Sequence, residues 1–246
     1  MCHSGTLASV EPQPRRRTPS VRAIDLALPR PRPERVTLDG QDVRVEPLDP
    51  ARHGPDLFRI GHDGTAEAER SWEYMPYGPF ASEPEHRAWL ETQAASEDPL
   101  FFAVVDRQHE RAVGIATLLT IVPAHGSIEI GHIWLAPRVQ RTRAATEALV
   151  LLLRYAMDDL GYRRMEWKCN AANRASRSAA ARLGFRFEGV FYNHLVFKGR
   201  NRDTAWFSIL DEEWPAVRDA YATWLAADNF GRDGAQRQRL SELTRA

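Results

Sequence analysis

The sequence has little cysteine, no long apolar run and no excess of either charge, and each shortage removes a class of protein. Two cysteines, Cys2 and Cys169, in 246 residues cannot build a disulfide framework and point to a reducing compartment. No apolar stretch approaches the roughly 18 residues a membrane-spanning helix needs, so no membrane partner is expected. The start, MCHSGTLASVEPQPRRRTPS, lacks the continuous apolar segment of a signal peptide, and a cytoplasmic location is expected. Lys plus Arg and Asp plus Glu are both 33. Such a balance exerts no global pull on nucleic acid, so any anion site must be local. The histidines and cysteines show neither H-x-x-x-H nor C-x-x-C spacing, so no metal is expected.

A hydrophobic content of 43% is enough for a real core. Residues 1–36 are rich in Pro and Arg, as in PRRRTP and PRPRPER, and read as a disordered tail. Residues 37–228 read as one domain and 229–246 as a polar tail. Within the domain, alternation predicts strands over 43–48, 100–106, 112–122, 127–137, 163–170, 187–199 and 203–210. Helical spacing predicts helices over 51–70, 83–96, 145–160 and 173–185, with Gly161 and Gly184 as stops. A last helix follows Asp211. This order predicts a mixed α/β sheet with helices on both faces.

The stretch WLAPRVQRTRAATEALVLLL (134–153) runs from strand to basic turn to apolar helix. A helix start leaves backbone N–H groups unpaired and carries a partial positive charge, and both attract phosphate. Arg138, Arg141 and Arg143 flank this start, and Thr142 and Thr146 add hydroxyls. The alternative is a basic loop with an ordinary capped helix. Neither a Walker loop nor a Rossmann fingerprint is present.

The element order, the strand EIGHIWLAP before the turn, and N-x-x-S followed by L-G-F (173–185) together resemble the GNAT family of CoA-dependent N-acyltransferases. The RimJ/RimL-like group is the nearest likeness, over roughly 41–212. The resemblance implies a mostly antiparallel central sheet and acetyl-CoA as co-substrate. It also implies an amine acceptor, either a small molecule or a protein N-terminus, and a possible homodimer through a strand edge. The family's pyrophosphate loop, Q/R-x-x-G-x-G/A, matches Gln140, Arg141, Thr142, Arg143, Ala144 and Ala145. Arg143 stands where the family has glycine. It closes the approach to phosphate unless its side chain turns outward, or it adds a cation for CoA.

By the same resemblance, the backbone at Ile133 and Leu135 pairs with the pantetheine arm, Asn173 bonds it, and Ser176 lies near the cofactor. Asn173 reads equally as a helix N-cap. Glu129 matches the position of a general base, or else pairs across strands. Strict alternation would put Glu129, Gly131, Ile133 and Leu135 on one face and His132 on the other. The tyrosine acid of many relatives is replaced by Ala180, leaving Tyr192 and His194 as substitutes or as pocket lining. Trp72, Tyr74 and Tyr77, in the aromatic loop with Met75 and Phe80, line the acceptor or form a satellite core. Cys169 reads as buried and inert. Two other functions stay open: transfer from a non-CoA donor such as aminoacyl-tRNA, and binding without turnover.

Overall fold

The computed structural model describes Val21 and residues 23–245. Most of the Pro/Arg-rich tail expected at 1–36 lies outside those residues. Its last part is tied to the domain: Arg30 donates to the Leu160 carbonyl at 2.9 Å, and the Glu34 amide donates to the Tyr155 hydroxyl at 2.8 Å.

A short strand β1 (Leu38–Asp39) turns into β2 (Val43–Pro47). Asp49 then accepts from the amides of Ala51 and Arg52 and starts α1 (Pro50–Gly61), with proline in the first turn where no N–H is needed. The helix expected over 51–70 is two helices, because the chain breaks at 62–65 before Thr65 caps α2 (Ala66–Ser71). The aromatic loop leads to α3 (Glu83–Ala95), where the Ser82 hydroxyl accepts from the Glu85 amide and the Glu85 carboxylate accepts from the Ala81 amide.

The central strands β3 (Leu100–Asp106) and β4 (Arg111–Val122) are apolar on both faces, because helices cover both. The strand β5 (Ser127–Leu135) enters the basic turn, and Thr142 caps α4 (Arg143–Arg154) by accepting from the Ala145 amide at 3.1 Å. One π-turn follows over Tyr155–Asp159, and the chain reverses at Gly161. Its φ of +67° favours glycine there. The chain continues through β6 (Arg164–Asn170), α5 (Arg174–Arg182), β7 (Arg186–Phe197), β8 (Arg200–Leu210) and α6 (Trp214–Leu225).

The eight strands form one sheet in the order β1-β2-β3-β4-β5-β6-β8-β7, antiparallel except for β5 beside β6. One core lies between the sheet and α4, α5 and α6, where Leu152, Leu153, Ala180 and Tyr221 are buried. The other lies under α1, α2 and α3, around Leu57, Trp72, Leu90 and Trp134. Full burial of a leucine such as Leu152 contributes roughly 2 kcal/mol by transfer. The segment expected as a polar tail ends in α7 (Leu240–Leu243), and its Leu240 is only 1% exposed.

Candidate active site

Where β5 meets β6, the register runs only from Ser127↔Arg164 to Glu129↔Glu166. Beyond Glu129 the two strands part, so Ile130–Leu135 have no strand on that side. The opening is a V with Glu129 at its apex.

Strict alternation along β5 fails. His132 has φ +46°, and the register on β4 steps from Thr117↔Gly131 to Ile115↔Trp134, two residues against three. This bulge reverses the phase of the strand. Ile133 and Leu135 therefore pack into the α4-side core with Ile128 and Ile130. His132 joins the Glu129 face instead, packing against Phe101 and Tyr77 at centroid distances of 5.5 and 5.6 Å. The period-two expectation for these residues is thus corrected by one left-handed residue.

Glu129 is 6% exposed. Its Oε2 accepts from Thr120 Oγ1 at 2.9 Å and lies 3.0 Å from Lys168 Nζ on β6. Thr120 has φ +48° in a second bulge, opposite the Glu129 to Ser127 step, and that bulge aims its hydroxyl at the carboxylate. Burial raises the Glu129 pKa above the ordinary glutamate value, while Lys168 opposes the rise. Lys168 also bridges Glu166 at 3.0 Å and lies 4.3 Å from the Trp206 ring centroid. Arg164 joins Glu166 to Glu188. Lys168 escaped the sequence reading. A lysine on a strand is ordinary until the register sets it across from a buried acid.

The turn before α4 explains Arg143. Its guanidinium points away from the turn to the Asp42 carboxylate at 3.0 and 3.1 Å and to the Leu225 carbonyl at 2.7 Å. It also covers the Phe230 ring. The left-handed residue of this turn is Arg141, φ +64°, while Arg143 already lies in the helix. A glycine's conformational freedom is therefore not required at 143. Among the described residues, the amides of Arg141, Arg143 and Ala144 have no hydrogen-bond acceptor. Three free amides at a helix start fit a pyrophosphate. Gln140 closes the turn by donating from its side chain to the Leu135 carbonyl at 3.0 Å. Glu147, one turn into α4, accepts from the amides of Gln41, Asp42 and Val43 and anchors the helix to β2.

Asn173 caps α5, its side chain accepting from the Ser176 amide at 3.0 Å, and the Ser176 hydroxyl accepts from Trp167 Nε1 at 3.0 Å. Ala180 is fully buried in the core. Tyr192, on the edge strand β7, is 77% exposed. His194 lies 3.0 Å from Thr204 Oγ1 and 6.1 Å from the Trp206 ring, so Trp206 stands between it and Lys168. Cys169 is buried, which pushes its thiol up.

In the aromatic loop, Trp72 is 1% exposed, donates to the Gly61 carbonyl at 3.0 Å and stacks on Trp134. It holds the loop down. Tyr77 lies parallel to His132, with its hydroxyl 3.3 Å from Nδ1. Burial depresses His132 to about 4, so its imidazole is neutral near pH 7. Tyr74 is half-buried, and among the described residues it shares no ring contact with them. The β7–β8 turn reaches the same loop, where Lys198 Nζ donates to the carbonyls of Trp72 and Gly78 at 3.2 and 3.0 Å. The opening is thus bounded by the aromatic loop, β5, β6 and the β7–β8 hairpin.

Residues 43–186 match the acetyltransferase (GNAT) domain family. A GCN5-related N-acetyltransferase from Brucella melitensis is 47% identical, with a TM-score of 0.87, over 91% of this chain and 100% of that one. A GNAT-family probable acetyltransferase from Chromobacterium violaceum is 41% identical, with a TM-score of 0.74, over 82% of this chain and 100% of that one. YdaF of Bacillus subtilis, whose name assigns it provisionally to ribosomal N-acetyl transfer, is 29% identical over 101 residues. That match takes in 41% of this chain and 55% of YdaF, so it spans about half the length of the curated relative. The chain belongs to the GNAT acetyltransferase family.

Proposed function

We propose that the protein transfers an acetyl group from acetyl-CoA to a primary amine by direct attack, with Glu129 as the general base. The carrying observation is the juxtaposition at the apex of the V: a buried carboxylate with a raised pKa beside a strand edge left open by its neighbour. Acetyl-CoA, when bound, supplies an activated thioester carbonyl. The free amides of Arg141, Arg143 and Ala144 receive its pyrophosphate. The open side of β5 receives the pantetheine arm and offers a backbone N–H to the developing oxyanion.

An acceptor amine reaches neutral pH mostly as ammonium and must lose a proton to attack. Glu129 takes that proton, directly or through a water. Lys168 keeps enough of Glu129 ionised to do so, while burial keeps its basicity above that of a free glutamate. When the tetrahedral intermediate collapses, its C–S bond breaks, the amide forms, and the CoA thiolate takes its proton from solvent. Of the two motives for a non-CoA donor, an arginine obstructing the turn and an Arg-rich tail, the outward turn of Arg143 counts against the first, while most of the tail lies outside the described residues.

The test is thiol release from acetyl-CoA with a panel of primary amines. Release that depends on an amine and falls roughly 10²-fold in Glu129→Gln supports the reading. Release without an amine, or full activity in Glu129→Gln, overturns the assignment of the base.

A further inference from the structure

Arg202 on β8 has its Nε buried and without a hydrogen-bond partner. Among the described residues its guanidinium makes no ion pair either. Burial pushes its pKa down, and its charge acts on both Glu129 and His132. Only the Nε is buried in this way and the side chain as a whole is half-buried, but a buried N–H without an acceptor is unfavourable until an anion or another acceptor reaches it. The other cations of the cleft are committed: Lys168 to Glu129 and Glu166, Arg164 to Glu166 and Glu188. Arg202 instead lies 5.7 Å from the Phe197 ring centroid, with Lys198 over the same ring at 5.9 Å. Lys198 bonds only to carbonyls. Two cations without a carboxylate thus stand at the hairpin side of the opening. Glu129, Glu166 and Glu188 cluster with Lys168 and Arg164 at its apex. A second orphan donor, the buried Nε1 of Trp206, lies on the same strand.

The opening thus offers the Glu129 carboxylate at its apex and, on the hairpin side, a guanidinium with no acid partner among the described residues. We propose that Arg202 selects an acceptor carrying a carboxylate as well as its amine, the amine held toward Glu129 and the carboxylate at the Arg202 guanidinium. This rests on the acetyl-transfer reading and names the acceptor class within it. Such chemistry belongs either to a free amino acid or to a peptide beginning with an acidic residue. Arg202 suits both, because its planar fork matches a carboxylate bidentately.

Two matched pairs separate the sources: phenylalanine against phenylethylamine, and aspartyl-alanine amide against asparaginyl-alanine amide. Thiol release is followed for the unaltered protein, Arg202→Gln and Arg202→Lys. The expected result is that the acidic member of one pair is preferred about tenfold or more in kcat/KM. The preference resides in KM. It vanishes in Arg202→Gln and survives in part in Arg202→Lys, the acidic member losing more than the neutral one. Equal or better use of the neutral members in both pairs overturns the inference but leaves acetyl transfer standing. So does a preference that survives Arg202→Gln, or an equal loss on both members. Thiol release with no amine at all in the panel, despite bound acetyl-CoA, contradicts the inference. Failure to bind acetyl-CoA contradicts the reading beneath it.

Discussion

Lys168 Nζ lies 3.0 Å from Glu129 Oε2, across the point where β5 and β6 separate. Two opposed effects meet at that carboxylate. Burial favours its neutral form and the ammonium favours its charged form. Removing the ammonium lets burial act alone. In Lys168→Met the acidic limb of the kcat/KM profile moves to higher pH, because the base then holds its proton longer. Activity lost at neutral pH returns as the pH is raised. A pH–rate profile that keeps its acidic limb in Lys168→Met would show that this lysine does not tune the base.

Arg143 acts on stability. It ties the start of α4 to Asp42, on the approach to β2, and to the end of α6. Replacing it with alanine removes charge-assisted hydrogen bonds from a half-buried site, a loss of roughly 1–3 kcal/mol. Urea unfolding measures it. A midpoint within error of the unaltered protein would mean these bonds contribute nothing net.

Gly78 has φ +64°, and a Cβ there would lie 2.5 Å from the Trp72 ring. Gly78→Ala therefore incurs both backbone strain and overpacking against a buried indole, a loss of roughly 2–4 kcal/mol. The loop carrying Tyr77 is displaced with it. Thermal unfolding and near-ultraviolet dichroism of the tryptophans report the two effects. An unchanged spectrum and melting temperature would contradict the described loop.

A buried and a half-buried histidine set a limit in acid. His86 and His132 are each depressed to about 4 by burial. The unfolded chain binds their protons near pH 6.5 and the folded one does not, so stability is lost as pH falls from about 6.5 toward 4. The ceiling is on the order of 3 kcal/mol for each. In His86→Gln that decline should be shallower. An equal slope in the unaltered protein and the variant would place the acid sensitivity elsewhere.

Much of this arrangement was legible from residues 127–185. A strand over SIEIGHIWL and a stop at Gly161 are local properties, and the structure has both. The family resemblance carried by the basic turn and the Asn173 helix led to a mostly antiparallel sheet, as observed. What escaped the sequence depended on contacts between distant segments. The bulge at His132 exists because β4 supplies two residues where β5 has three, and no pattern within β5 announces it. Arg143 looked like an obstruction because its partners, Asp42 and Leu225, are 101 and 82 residues away. Lys168 gained its role only from the register with β5. Arg202 lies in a polar hairpin where an arginine is unremarked until its partners are sought.

The central claim is that the glycine-free turn before α4 still receives the pyrophosphate of acetyl-CoA. Calorimetric titration with acetyl-CoA, on the unaltered protein and on Arg143→Gly, tests it most directly. The account predicts micromolar binding by the unaltered protein, changed less than about threefold by the substitution, because the side chain already points away. No binding by the unaltered protein, with binding gained in Arg143→Gly, would contradict it.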